Sequence, residues 1–101
     1  MSRTSGQSAV TGRPTAGARF ALEKADETSE AVIYRGFVHL PDADVPATVT
    51  IELPGGATRT ALGEGGSTDL EKTASALVRA ATKALIAAHS PLPRKIVRWR
   101  G

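Results

Sequence analysis

The chain reads as an α+β domain: an antiparallel meander of three to four strands with one C-terminal helix packed on one face, behind a disordered N-terminal tail. Three features carry that reading. Val49, Ile51 and Leu53 alternate with Thr48, Thr50 and Glu52, the period of a strand with one buried and one wet face. Leu70, Ala74, Leu77, Ala81, Ala84, Leu85 and Ala88 recur at helical spacing, and Val78 widens the stripe. The connections between strand runs are of hairpin length, too short for the crossovers that parallel strands require, and strands and helix are segregated along the chain.

Residues 1–18 are Ser, Thr, Gly, Ala and Arg with one Pro, and bury too little apolar surface to offset the entropy of ordering. They read as a disordered basic tail, and 19–101 as one small domain. Gly6, Gly12, Pro14 and Gly17 argue against the amphipathic helix of a transit peptide, and no apolar stretch near the start has the character of a signal peptide. Arg19 to Lys24, with Phe20, Leu22 and Lys24 on one side, admits a strand or one helical turn. Asp26-Glu27-Thr28-Ser29 reads as a polar turn.

Ala31 to Leu40 is rich in Val, Ile, Tyr and Phe, residues suited to strands. Val32, Tyr34, Val38 and Leu40 share one face, while Ile33 and Phe37 occupy the other. Either Gly36 marks a bulge that shifts the register, or both faces are covered, one by the helix and one by a second subunit or a terminal segment. Residues 41–46 form a loop with a proline at each end. Pro54-Gly55-Gly56 punctuates a hairpin, and Ala57 to Leu62 returns as a weaker strand.

After the flexible loop 63–67, Thr68 and Glu71 have the spacing of a capping box at the start of a helix running from about Asp69 to His89. Pro91-Leu92-Pro93 ends it. Arg94-Lys95-Ile96-Val97-Arg98-Trp99-Arg100 follows as a basic segment, extended or a short strand.

The composition bounds function without assigning it. The chain has 101 residues, 17 alanines and only four aromatics, so its core is thin and oligomerisation is an expected supplement. No apolar run reaches the length of a membrane span. The absence of cysteine excludes disulfides and thiolate metal sites and fits a cytoplasmic setting. Net charge is +3, but its distribution is uneven: residues 1–19 carry +3, 20–30 carry −3, 31–68 carry −2, 69–90 carry +1 and 91–101 carry +4. A near-neutral body thus has two basic ends, which attract polyanions.

Catalysis finds little support, and the expectation is a non-enzymatic protein without metal or cofactor. His39 and His89 are the only histidines, and His89 at a helix C-terminus complements the helix dipole. No serine stands in a nucleophile-elbow motif. Asp42 and Asp44 lack the further ligands and central Gly of a calcium loop. The Gly-rich loop before the helix has Gly66 where a phosphate-binding loop carries Lys, with Glu64, Asp69 and Glu71 nearby to repel an anion.

Two readings of function follow. The first is nucleic-acid binding. Lys72, Arg79 and Lys83 fall within roughly 60° of one another opposite the apolar stripe, a row able to follow a phosphate backbone. Arg94, Lys95, Arg98 and Arg100 surround Trp99, pairing Coulomb attraction with a ring for base stacking. In topology, though in no motif, a four-stranded meander followed by a helix resembles the Whirly and Pur-type repeats, and that resemblance implies dimerisation and single-strand binding. The second reading is a homo-oligomer, or an adaptor module for another protein, using Ile33 and Phe37 on the second apolar face of strand 31–40.

Overall fold

A computed structural model describes residues 16–100; the greater part of the expected tail, residues 1–15, lies outside the described residues, as does Gly101. The elements are β1 (Ala18–Glu27), β2 (Ala31–His39), β3 (Asp44–Glu52), β4 (Ala57–Leu62), α1 (Thr68–Ala87) and β5 (Lys95–Arg100). The α+β class is as expected. The sheet has five strands in the order β4-β3-β2-β1-β5, antiparallel throughout. The fifth strand is the basic C-terminal segment, which pairs with β1 in the register Ala18↔Arg100 to Glu23↔Lys95. That pairing joins the two ends of the domain and leaves no local mark in the sequence.

The core lies between the sheet and α1. Phe20 and Leu22 of β1, Val32, Tyr34 and Val38 of β2, Val45, Ala47, Val49 and Ile51 of β3, and Ile96 of β5 are buried. They meet Ala74, Leu77 and Val78 of the helix, and Leu92 of the α1–β5 linker. Strand residues of the other parity face away from the helix, so Ile33 and Phe37 stand on the uncovered side, as the alternation requires.

Gly36 is not a bulge. The β2–β3 register runs unbroken through Gly36↔Ala47, and the β1–β2 irregularity falls between Lys24 and Asp26. Gly36 instead permits close approach: a Cβ there would sit 2.0 Å from the Ala21 carbonyl oxygen. β1 also runs through Asp26 and Glu27, the first half of the stretch expected to turn, and the reversal occurs at residues 28–30. There the Thr28 hydroxyl oxygen accepts from the main-chain N–H of Glu30 and Ala31.

The helix begins one residue earlier than a box built on Thr68 and Glu71 implies. Ser67 is the N-cap, its hydroxyl oxygen accepting from Leu70 N–H at 3.2 Å, while Asp69 and Glu71 place negative charge in the first turn. The helix ends at Ala87 rather than His89. His89 adopts φ 56° just beyond the cap; its N–H donates to Ile86 and that of Ser90 to Leu85, a Schellman closure with His in the place glycine usually takes. The buried stripe is rotated from the expected one. Ala84 and Ala88 are exposed, whereas Val78 and Thr82 are buried and Ile86 partly so. The larger side chains at i, i+4 and i+8 bury more area than alanines can, and Thr82 satisfies its hydroxyl by donating to the Val78 carbonyl.

Candidate nucleic-acid interface

The uncovered face of the sheet is built in rows set by the strand register. One row contains Trp99, Arg19, His39 and Asp44. The next contains Val97, Ala21, Phe37 and Pro46, and a third Lys95, Glu23, Arg35 and Thr48. Phe37, Val97 and Trp99 are the exposed large hydrophobics among the described residues, at 45%, 39% and 54% accessibility, and all three lie on this face.

Local contacts orient these rings. The Arg19 guanidinium lies over the Trp99 indole, 5.6 Å from its centroid. Phe37 and His39 are stacked at 6.0 Å with 25° between their planes, and His39 Nδ1 meets Asp44 Oδ1 at 2.8 Å. Phe37 and Trp99 are two strands and two residues apart, about 12 Å at ordinary sheet spacings. Ion pairs cross the face from Lys95 to Glu23 at 4.0 Å and from Arg59 to Glu52 at 3.0 Å.

The residues singled out from the sequence fall into two groups. Lys95 and Trp99 stand on the uncovered face. Arg98 and Arg100 have the opposite parity and fold around the sheet edge, their guanidinium groups donating to the carbonyls of Val97 and Trp99 at 2.8 and 2.9 Å. Arg94 immediately precedes β5 and is exposed, and its carbonyl accepts from Lys24 N–H. Ile33 is partly buried and Phe37 exposed on the same face as Trp99. Lys72, Arg79 and Lys83 are elsewhere: they line an open groove of about 830 Å³ between α1 and β4. Four strand spacings, about 19 Å, separate β4 from β5, so the two cation clusters do not form one site.

Sequence reasoning missed Arg19 and Arg35 as members of this face. Their parity is legible, but only the register of β1 against β5 and β2 brings Arg19 to Trp99 and Arg35 opposite Glu23. Among the described residues no group of three or more His, Asp or Glu side chains gathers in a way that could hold a metal ion, and no helix is long and apolar enough to cross a membrane.

Comparison of the chain with protein-family models, with curated proteins and with solved structures finds no match in any of the three.

Proposed function

We propose that this domain is a binding module, not a catalyst, that takes single-stranded nucleic acid on the uncovered face and β5 edge of its sheet. The observation that carries the reading is the exposure of Trp99 and Phe37 on one face, beside a run of cations. Bases stack on the two rings, which are too far apart to share one base. Arg19, Lys95, Arg98 and Arg100 hold the phosphates. Stacking contributes about 1–3 kcal/mol per base, and each phosphate neutralised adds to the salt dependence.

The test is fluorescence anisotropy with labelled single-stranded and duplex oligonucleotides over a range of salt concentrations. The expected result is binding that weakens steeply with salt and favours single strands. Trp99→Ala and Phe37→Ala should each weaken it by about 5- to 100-fold, and Arg98→Gln with Arg100→Gln should flatten the salt dependence. No binding at low salt, or full affinity in both ring variants, overturns the proposal.

A second reading rests on the row Val97, Ala21, Phe37 and Pro46, an apolar strip crossing four strands without a charge. A second copy of the chain laid on that strip would bury Phe37 and Val97, and would reach Ile33 only by also covering the row of Glu23 and Arg35 between them. Sedimentation equilibrium separates the readings: a dimer abolished by Phe37→Ser supports this one, and a monomer at every concentration removes it.

A further inference from the structure

The edges of the sheet differ. At β5 the outward carbonyls of Val97 and Trp99 already accept from the Arg98 and Arg100 side chains. At β4 the situation is open. Gly63 N–H donates to the Pro46 carbonyl, and antiparallel alternation from that bond turns the main-chain groups of Ala57, Arg59 and Ala61 toward β3. The N–H and C=O groups of Thr58, Thr60 and Leu62 therefore line the free edge. Among the described residues no side chain bonds to them.

Beside this edge runs the groove lined by Lys72, Arg79 and Lys83. A bond of 2.7 Å between the Thr60 and Ser75 hydroxyls joins its two walls. None of the three helical cations has an ion-pair partner among the described residues, and Glu71 is the one acid lining the groove. An unpaired strand edge next to a cationic wall calls for an occupant with extended backbone and negative side chains.

We propose that the α1–β4 groove binds an extended acidic peptide of a partner protein, which adds to the sheet as a sixth strand along Thr58–Leu62. Main-chain bonds to the edge hold the backbone. Every second side chain of an added strand points toward the helix, at intervals of about 7 Å, so acids at alternate positions meet Arg79 and Lys83, about 6 Å apart along the helix axis, and then Lys72. The segment preceding residue 16 is not that peptide, because it carries Arg3 and Arg13 and no acid.

The probe is a synthetic peptide of about ten residues alternating Asp and Val, titrated into the isotope-labelled full chain by NMR. One control replaces every Asp with Lys; another replaces Val residues with Pro, which removes main-chain donors. The expected result is shifted and exchange-protected amides at Thr58, Thr60 and Leu62, with both controls inert. Charge reversal in R79E/K83E should weaken binding at least about tenfold while leaving the fold, read by circular dichroism, intact. Unshifted edge amides at millimolar peptide, or equal affinity for the Pro-interrupted peptide, overturn the proposal. So does an oligonucleotide that shifts the groove amides while the acidic peptide does not. The groove is independent of the uncovered face, so Trp99→Ala leaves peptide binding unchanged.

Discussion

The Tyr34 hydroxyl donates to the Pro93 carbonyl across 2.5 Å, linking the centre of the sheet to the segment that delivers β5. Tyr34 is fully buried on the helix side of β2, and Pro93 lies two residues before β5 begins. The bond fixes where the chain leaves the helix and therefore where Trp99 and Val97 stand. Tyr34→Phe keeps the ring and orphans the carbonyl, so it should lower stability by about 1–2 kcal/mol in urea denaturation, with an unchanged denaturant slope.

The same residue makes the fold sensitive to alkali. Burial, and then the negative charge of Glu27, push the Tyr34 hydroxyl up to about 12 from its ordinary 10.0. The folded state therefore holds this proton more tightly than the unfolded state. Its stabilising contribution is complete below pH ~10 and is lost as pH rises through about 12. Tyr34 is the chain's only tyrosine, so tyrosinate absorbance reports it alone. The midpoint should lie near 12 in the native protein and near 10 in denaturant, and Tyr34→Phe should flatten the alkaline loss of stability.

Gly36→Ala tests the close approach of β1 and β2. The added methyl would meet the Ala21 oxygen at 2.0 Å and the Leu22 Cα at 2.9 Å, both main-chain atoms that cannot rotate away. The strands must separate or shear. A loss of about 3 kcal/mol or more is expected in thermal or urea unfolding, far beyond the ~1 kcal/mol gain that Gly to Ala gives at unstrained positions.

What was legible in the sequence follows from the range of each signal. The alternation at Thr48–Leu53 and the Pro-Gly-Gly turn are local, and β3 and the turn into β4 fall on them. But β3 begins at Asp44, inside the segment 41–46 expected as a loop, because its pairing with β2 continues to His39↔Asp44. The parity of Val32, Tyr34 and Val38 against Ile33 and Phe37 is local too, and it separates core from uncovered face correctly. The β1–β5 pairing depends on residues more than 70 positions apart, so although the C-terminal segment reads as extended or a short strand, its partner and the Arg19–Trp99 contact had no sequence signature. The division of the cations between two margins has the same origin: helical periodicity shows that Lys72, Arg79 and Lys83 share a face, but not that this face abuts β4. Ala-rich composition blurred the helix stripe, since alanines at 84 and 88 bear the same apolar mark as residues that are buried.

The helix start separates two adjacent hydroxyls. Ser67 accepts from Leu70 N–H, whereas Thr68 is already helical. Ser67→Ala should destabilise by about 1 kcal/mol through the unsatisfied N–H. Thr68→Ala should change stability by less than about 0.5 kcal/mol, as an exposed first-turn position of no capping role. Equal losses in the two variants would move the cap to Thr68.

Trp99 tests whether the uncovered face is free of structural duty. It is the only tryptophan, is about half exposed, and carries the Arg19 guanidinium over its ring. Its emission should therefore resemble that of hydrated indole and be quenched readily by acrylamide. Trp99→Ala should lower stability by about 1–2 kcal/mol, because only about half of its area leaves water on folding. Phe20→Ala, on the opposite face of the neighbouring strand and 1% exposed, should lose about 3–5 kcal/mol. A blue-shifted, shielded Trp99 in the isolated chain would instead mean that the face is covered in solution. If the shielding then faded on dilution, a second copy would be the cover.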